Sequence, residues 1–270
     1  MSNTVLLIGC GNMGFAMLKG WLGADPDLRA FVVEPAEELR ERAAEAGAVA
    51  VGSISELPGD LAPDLVVLAV KPAMVAKVLA ECGGFAGSAT FVSVAAGITM
   101  PTMAAALPEG ARIIRCMPNT PAAIGEGMLV LCAGEGVSID AKLLTETLFK
   151  TSGAVTWVAE EGLMDAVTAI SGSGPAYVFL FIEELTKAGM SLGLPHDTAA
   201  LLAMQTVAGA GRYAQTSDTP PGTLREQVTS PNGTTEAALN VFMGDDRLGK
   251  LVRAASEAAR DRGIELGRGG

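Results

Sequence analysis

Gly9-Cys10-Gly11-Asn12-Met13-Gly14 stands between an apolar run at residues 4–9 and a segment of helical spacing at residues 12–22. A strand that turns sharply into a helix needs small residues at the turn. Gly9 permits the tight turn, Gly11 lets a ligand's phosphates approach the backbone, and Gly14 lets helix and strand pack closely. The free amides at the helix start then face those phosphates. The spacing alone is a weak signal, because glycine turns after strands are common. Its place between strand and helix, close to the N-terminus, favours a dinucleotide site over a plain turn.

Outward from this turn, short apolar strands alternate with helical segments. Strands are expected at residues 4–9, 30–34, 64–70, 90–95, 112–117, 127–133 and 154–158. Runs such as Val5-Leu6-Leu7-Ile8 are continuously apolar, as strands covered on both faces must be. Helical spacing fills residues 12–22, 36–46 and 72–81. The alternation implies an α/β fold, with a doubly wound Rossmann domain over residues 1–160. From Glu161 on, helix formers dominate, which predicts an all-α domain over residues 161–270. Pro175 suits the first turn of a helix reaching residue 192, and Gly193 ends it. Pro195 opens another helix to residue 213. A further one starts after Pro231-Asn232-Gly233, and a last one covers residues 245–266. Residues 267–270 are expected to fray.

Composition bounds the function. Hydrophobic residues make up 49% and charged residues 18%, a globular balance. The net charge of −11 repels phosphate backbones and argues against a nucleic-acid partner. Cys10, Cys82, Cys116 and Cys132 show no metal-ligand spacing, and His196 is the single histidine, so no metal site is expected. Reduced thiols, a first strand near Thr4 and the absence of a long unbroken apolar stretch lead to a cytoplasmic expectation with no membrane partner. Ala176-Tyr177-Val178-Phe179-Leu180-Phe181-Ile182 is apolar on every face, and a small helical domain has little interior to hide it. Burial against a second copy, as a homodimer, is the expected solution.

Several polar positions are candidates for chemistry. Glu34, twenty positions beyond Gly14, can accept hydrogen bonds from adenosine ribose hydroxyls, or it is a solvated carboxylate at a strand end. Ala69-Val70-Lys71-Pro72 and Ala95-Ala96-Gly97 end strands where ligands of such sheets lie. Lys71 is either a cofactor contact or a surface charge at a helix start. Arg115-Cys116-Met117-Pro118-Asn119-Thr120-Pro121 forms a rigid polar loop that either shapes the nicotinamide pocket or is a tight structural turn. Thr229-Ser230-Pro231-Asn232-Gly233-Thr234-Thr235-Glu236 gathers amides and hydroxyls before a helix, suited to a carboxylate or to plain capping by Thr234 or Thr235.

Together these segments, with Ser171-Gly172-Ser173-Gly174-Pro175-Ala176-Tyr177 and Gly193-Leu194-Pro195, resemble the pyrroline-5-carboxylate reductases over nearly the whole chain. The glycine fingerprint is shared with many dehydrogenases. The S-G-S-G-P-A-Y and S-P-x-G-T-T segments, in this order and spacing, are specific to that family. The resemblance implies reduction of 1-pyrroline-5-carboxylate, an imino acid, to L-proline with NADH or NADPH. It implies cofactor contacts from Ile8, Gly9, Cys10, Gly11, Asn12, Met13 and Gly14, from Ala69, Val70, Lys71 and Pro72, from Ala95 and Ala96, and from Gln227. It places Ser230, Gly233, Thr234 and Thr235 on the substrate, with Thr235 the catalytic hydroxyl. Glu161 matches a substrate-side position, or is a carboxylate in the first turn of a helix. Dimers that assemble into larger rings are a further implication. Asn232 stands where the family more often has glycine, and Asn tolerates positive φ.

The chemistry fits the residue types. An imine can be protonated before hydride arrives, so no strong acid is required, and His196 reads as a capping or surface residue. A 3-hydroxyacid dehydrogenase, the competing enzyme, needs a catalytic lysine where the long helix after the glycine-rich turn offers only Lys187 at its polar end. A catalytically silent dinucleotide sensor has no use for the loop from Ser230 to Thr235.

Overall fold

The structure, a computed structural model, describes residues 3–268. In chain order its main elements are β1 (Thr4–Ile8), α1 (Asn12–Ala24), β2 (Arg29–Val33), α2 (Glu37–Glu45), β3 (Val49–Val51), β4 (Leu65–Leu68), α3 (Val75–Glu81), β5 (Thr90–Ser93), α4 (Met100–Ala105), β6 (Arg112–Met117), β7 (Gly127–Ala133), α5 (Ile139–Phe149) and β8 (Gly153–Trp157). Helices follow: α6 (Met164–Val167), α7 (Gly174–Ser191), α8 (His196–Thr216), α9 (Pro221–Gln227), α10 (Thr234–Met243) and α11 (Arg247–Arg268).

The eight strands form one sheet in the order β3-β2-β1-β4-β5-β6-β7-β8. β1 to β6 are parallel, while β7 runs antiparallel to β6 and parallel to β8. Alternate side chains of the central strands enter two separate cores. Val5, Leu7 and Val67 pack with Met17, Leu18 and Trp21 of α1 on one face. Leu6, Ile8 and Val66 pack with Val75 and Leu79 of α3 on the other. Burial on both faces is why β1 and β4 carry no polar alternation. The strand order reverses between β1 and β4, which places a crevice at their C-terminal ends.

Several features depart from the sequence expectation. β3 pairs with β2 at the sheet edge but has only three residues, too few to show a period. The seven residues of α9 are largely polar and likewise carry no apolar stripe. Another is the helical path that runs without a break from Glu161 to Ser191, through a 3₁₀ turn, α6 and a π turn at Thr168–Gly172. By length and composition alone this path is apolar enough to cross a membrane, contrary to the expectation that no stretch qualifies. At the C-terminus, helix continues through Gly267 and Arg268, where fraying was expected; Gly269 and Gly270 lie outside the described residues.

The chain divides into two compact units, one up to Ser173 together with the residues from Ala259 on, the other Gly174–Ala258. A domain boundary at 160/161 therefore does not coincide with the packing. Met164 is fully buried with Met117, Val130 and Cys132, so residues just past 160 belong to the sheet's core. In the second unit, α7 and α8 lie close, with Gly189 of α7 against Ala199 of α8. Gly193, at φ +94, ends α7 in the left-handed conformation. Ala199 and Ala203 are the fully buried apolar residues of this unit among those described, whereas Phe179 and Leu180 are 58% and 56% exposed.

Candidate active site

The glycine-rich turn leaves β1 with Gly9 at φ +88, its amide still bonded to the Val33 carbonyl. A Cβ on Gly9 would lie 2.8 Å from the Ala69 carbonyl oxygen, and one on Gly14 would lie 2.4 Å from the Gly9 carbonyl oxygen. Both positions are closed to larger residues by the protein itself. Gly11 differs: a Cβ there would meet nothing within 4 Å. Its small size serves something that approaches from outside, as a pyrophosphate must. Gly11 caps α1 without a side-chain acceptor, and the first intrahelical donor is Phe15, so the amides of Asn12, Met13 and Gly14 remain available to an anion.

A groove of about 470 Å³ opens beside this turn. It brings together the predicted residues Ile8, Gly9, Gly11, Glu34, Ala69, Val70 and Lys71. Pro72 and Ala96 line a neighbouring, mostly apolar cavity of about 460 Å³, with Asp165 and Thr168 on its wall. Ala95 is buried below the surface, its amide donating to Ser93 Oγ at 3.2 Å. Cys10 is also fully buried and lies behind the turn; burial pushes its thiol up to about 11. Desolvation raises the thiols of Cys82, Cys116 and Cys132 too, so all four stay protonated near neutral pH.

Glu34 is 8% exposed at the end of β2, so the solvated reading does not hold. Its Oε2 accepts from the Cys10 amide at 2.7 Å and its Oε1 from the Ala36 amide at 3.0 Å. Each carboxylate oxygen can accept more than one hydrogen bond, and the group still lines the groove. Arg40 donates through Nη1 to the carbonyls of Glu34 and Pro35, and Arg42 through Nη2 to that of Cys10.

Glu161 stands in the first turn of a short 3₁₀ helix, as the second of its two readings expects, and has partners on other elements as well. Its Oε1 accepts from Arg115 Nη1 at 3.0 Å and from the Met100 amide at 2.6 Å, at the start of α4. The guanidinium side chain of Arg115 is only 5% exposed, so the carboxylate balances a buried cation and caps a helix other than its own. Asn119 is likewise engaged within the protein: Nδ2 donates to the Ser171 carbonyl at 3.1 Å and Oδ1 accepts from the Met128 amide at 2.9 Å. Of the two readings of its loop, the structural turn describes this residue.

In the second unit, the loop before α10 adopts the conformation its residues allow. Asn232 takes φ +57, and its amide donates to Glu236 Oε2 at 2.7 Å. Gly233 is the N-cap and makes no side-chain cap, so Thr234 and Thr235 are first-turn residues and not caps. Among the described residues, the hydroxyls of Ser230, Thr234 and Thr235 have no protein partner. Gln227 is exposed at the end of α9. His196 is exposed beside Asp197 and Lys187 pairs with Glu184, both on the surface. Among the described residues, no group of three or more His, Cys, Asp or Glu side chains could hold a metal ion.

Residues 161–266 match the family described as pyrroline-5-carboxylate reductase dimerisation, and residues 4–97 match NADP oxidoreductase coenzyme F420-dependent. A pyrroline-5-carboxylate reductase of Pseudomonas aeruginosa is 39% identical over 97% of this chain and 96% of its own. The chain belongs to the pyrroline-5-carboxylate reductase family. The solved structure of the family member from Coxiella burnetii superposes with a TM-score of 0.92 at 36% identity, covering 98% of this chain and 99% of that one. That of the Plasmodium falciparum pyrroline carboxylate reductase, which has NADP bound, superposes at 0.80 with 29% identity over 98% of both chains. Membership makes this an oxidoreductase of the nicotinamide-dependent type.

Proposed function

We propose that this chain reduces the C=N bond of 1-pyrroline-5-carboxylate to give L-proline, the last step of proline biosynthesis, in the cytoplasm. Full-length identity to reductases of this name is the observation that carries the reading. The groove beside β1 and β4 fits the dinucleotide: Gly11 is open, the amides of α1 are available, and small residues end β4. The bound nicotinamide supplies the hydride.

The chain's own residues bind and orient. The Gly9–Gly14 turn holds the pyrophosphate, with Ala69, Val70, Lys71, Pro72, Ala95, Ala96 and Gln227 around the rest of the dinucleotide. The amides of Thr234 and Thr235, with the Ser230 hydroxyl, hold the substrate carboxylate at the positive end of α10. Thr235 Oγ1 orients the ring nitrogen and the proton on it. Protonation of the imine precedes reduction, so positioning is the main contribution of the protein. In this reading residues 1–160 serve the cofactor and residues 161–270 serve substrate and dimerisation, while Glu161 also holds β6 and α4 through Arg115 and the Met100 amide.

The exposed apolar side chains of α7, from Tyr177 to Phe181, form the contact between two copies, which accounts for an apolar helix without a membrane. Glu34 favours NADH over NADPH, since its carboxylate lines the groove, and Arg40 on the following helix softens the repulsion and makes the preference partial. The test of the activity is absorbance loss of NADH or NADPH with the purified protein, with and without the imine. Oxidation in the imine's absence, or none in its presence, overturns the assignment.

A further inference from the structure

Cys10 is the residue between the first two glycines of the turn, and both of its backbone polar groups are held by ionised side chains. Its amide donates to Glu34 Oε2 at 2.7 Å, and its carbonyl accepts from Arg42 Nη2 at 2.9 Å. Arg42 comes from α2, and its guanidinium carbon lies 4.0 Å from the centre of the Phe15 ring on α1. The guanidinium is therefore supported on a flat face and aimed at one carbonyl, a cation–π contact reinforcing a charge-assisted hydrogen bond.

Neither Arg42 nor Phe15 lines the dinucleotide groove. Arg42 and Phe15 line a separate cavity of about 480 Å³ with Lys19, Leu22 and Glu45. Arg42 is thus placed to act on the cofactor through the backbone alone. A carbonyl oxygen free to swing round a two-glycine turn can point toward the phosphates, where it repels them and displaces an amide. Holding that oxygen on the far side keeps the amides of Asn12 to Gly14 facing outward before any ligand arrives.

We propose that Arg42, supported by Phe15, is a positioning residue for dinucleotide binding: it fixes the Cys10 carbonyl away from the pyrophosphate and so preorganises the turn. The proposal rests on the reading of this turn as the cofactor site. It predicts a signature that Glu34 does not share. Arg42 never meets the adenosine ribose, so its loss weakens NADH and NADPH equally and leaves their ratio unchanged.

The experiment is steady-state kinetics with both cofactors on the native protein, Arg42→Gln, Arg42→Lys and Phe15→Leu, with a thermal melt of each. Arg42→Gln is expected to raise KM for both dinucleotides by about tenfold, the scale of one charge-assisted hydrogen bond, with kcat and the imine KM held. Arg42→Lys, which keeps a cationic donor, restores most of the loss. Phe15→Leu keeps the hydrogen bond and removes the ring, so KM rises by about two- to fivefold, and it serves as the test if Arg42→Gln does not fold. Unchanged dinucleotide KM in Arg42→Gln, or in Phe15→Leu where it stands in, overturns the proposal. So does a fall in melting temperature accompanied by proportionate loss of every kinetic constant. A native protein inactive with both cofactors overturns instead the assignment of function on which the proposal rests.

Discussion

The side-chain amide of Asn119 donates at 3.1 Å to the carbonyl of Ser171, the acceptor that Pro175 leaves without a helical donor. Proline has no N–H, so in a continuous helical path the carbonyl four residues earlier loses its partner. The chain widens into a π turn there, closed by the Ser173 amide on the Thr168 carbonyl, and Asn119 reaches in from the loop after β6. Met117 fills the remaining space against Gly172, where a Cβ would lie 2.5 Å from its methyl. Two sequence-distant motifs are thereby tied by one amide.

Asn119→Ala removes a donor to Ser171 and an acceptor for the Met128 amide together. A loss of about 2 kcal/mol in unfolding free energy is expected, the cost of leaving partly buried polar groups unpaired. Pro175→Ala supplies a new backbone N–H near the same carbonyl, so the Asn119 substitution costs less in that background. Denaturant titration of the four proteins of this cycle gives the coupling; strictly additive losses contradict the relationship.

Gly11→Ala and Gly14→Ala separate binding from folding. At Gly14 the new methyl meets the Gly9 carbonyl, and helix and strand must part, so stability falls by several kcal/mol, on the order of other overpacked core sites. At Gly11 the methyl meets no protein atom within 4 Å, and the melt should stay within about 0.5 kcal/mol of the native protein. The same methyl stands where the pyrophosphate approaches, so KM for either dinucleotide rises by about tenfold or more. A Gly11→Ala protein with native KM shows that nothing binds against that face.

Much of this was legible from the sequence because its signals are local. A strand, G-x-G-x-x-G and a helix lie next to one another, and continuous apolarity in β1 and β4 declares two buried faces. Asn232 at positive φ followed from the known tolerance of that residue. The sequence leaves open what depends on partners remote along the chain. Glu161 does stand in the first turn of its own helix, as one of its two readings has it, but its hydrogen-bond partners Arg115 and Met100 lie on elements that precede it by dozens of residues and leave no local signal. The residues around Asn119 allow either a pocket former or a turn, and Pro175 holds the clue: a proline within a helical path announces an orphan carbonyl at Ser171. β3 and α9 were missed because three and seven residues are too few for periodicity to show.

Thr235→Ala tests the substrate side independently of the cofactor. The hydroxyl has no protein partner among the described residues, so its removal leaves no group unpaired and the fold intact. Loss of one hydrogen bond to the ring nitrogen should lower kcat/KM for the imine by about tenfold or more. Dinucleotide affinity, read by fluorescence titration, stays at the native value. An unchanged kcat/KM removes Thr235 from the mechanism.

The cofactor ratio turns on Glu34. Its carboxylate is already fixed by the amides of Cys10 and Ala36, so it meets an adenosine ribose in one orientation with acceptor capacity to spare. Ribose hydroxyls donate to it. A 2′-phosphate instead brings two negative groups together in a partly buried site, where unit charges about 5 Å apart repel by about 3 kcal/mol at an effective dielectric of about 20. Arg40 keeps its charge while it donates to the Glu34 and Pro35 carbonyls and softens this repulsion, as do Lys71 and Lys77 on the groove wall, so the preference is partial. The native protein is therefore expected to show the higher kcat/KM with NADH. Glu34→Ser should raise KM for both dinucleotides, since the Cys10 amide loses its acceptor, yet move the NADH-to-NADPH ratio by about tenfold or more toward NADPH. The ratio is the reading that matters, because Arg42 variants change both constants and leave it alone. A native preference for NADPH, or a ratio that Glu34→Ser does not move, means that this carboxylate holds the turn and does not read the ribose.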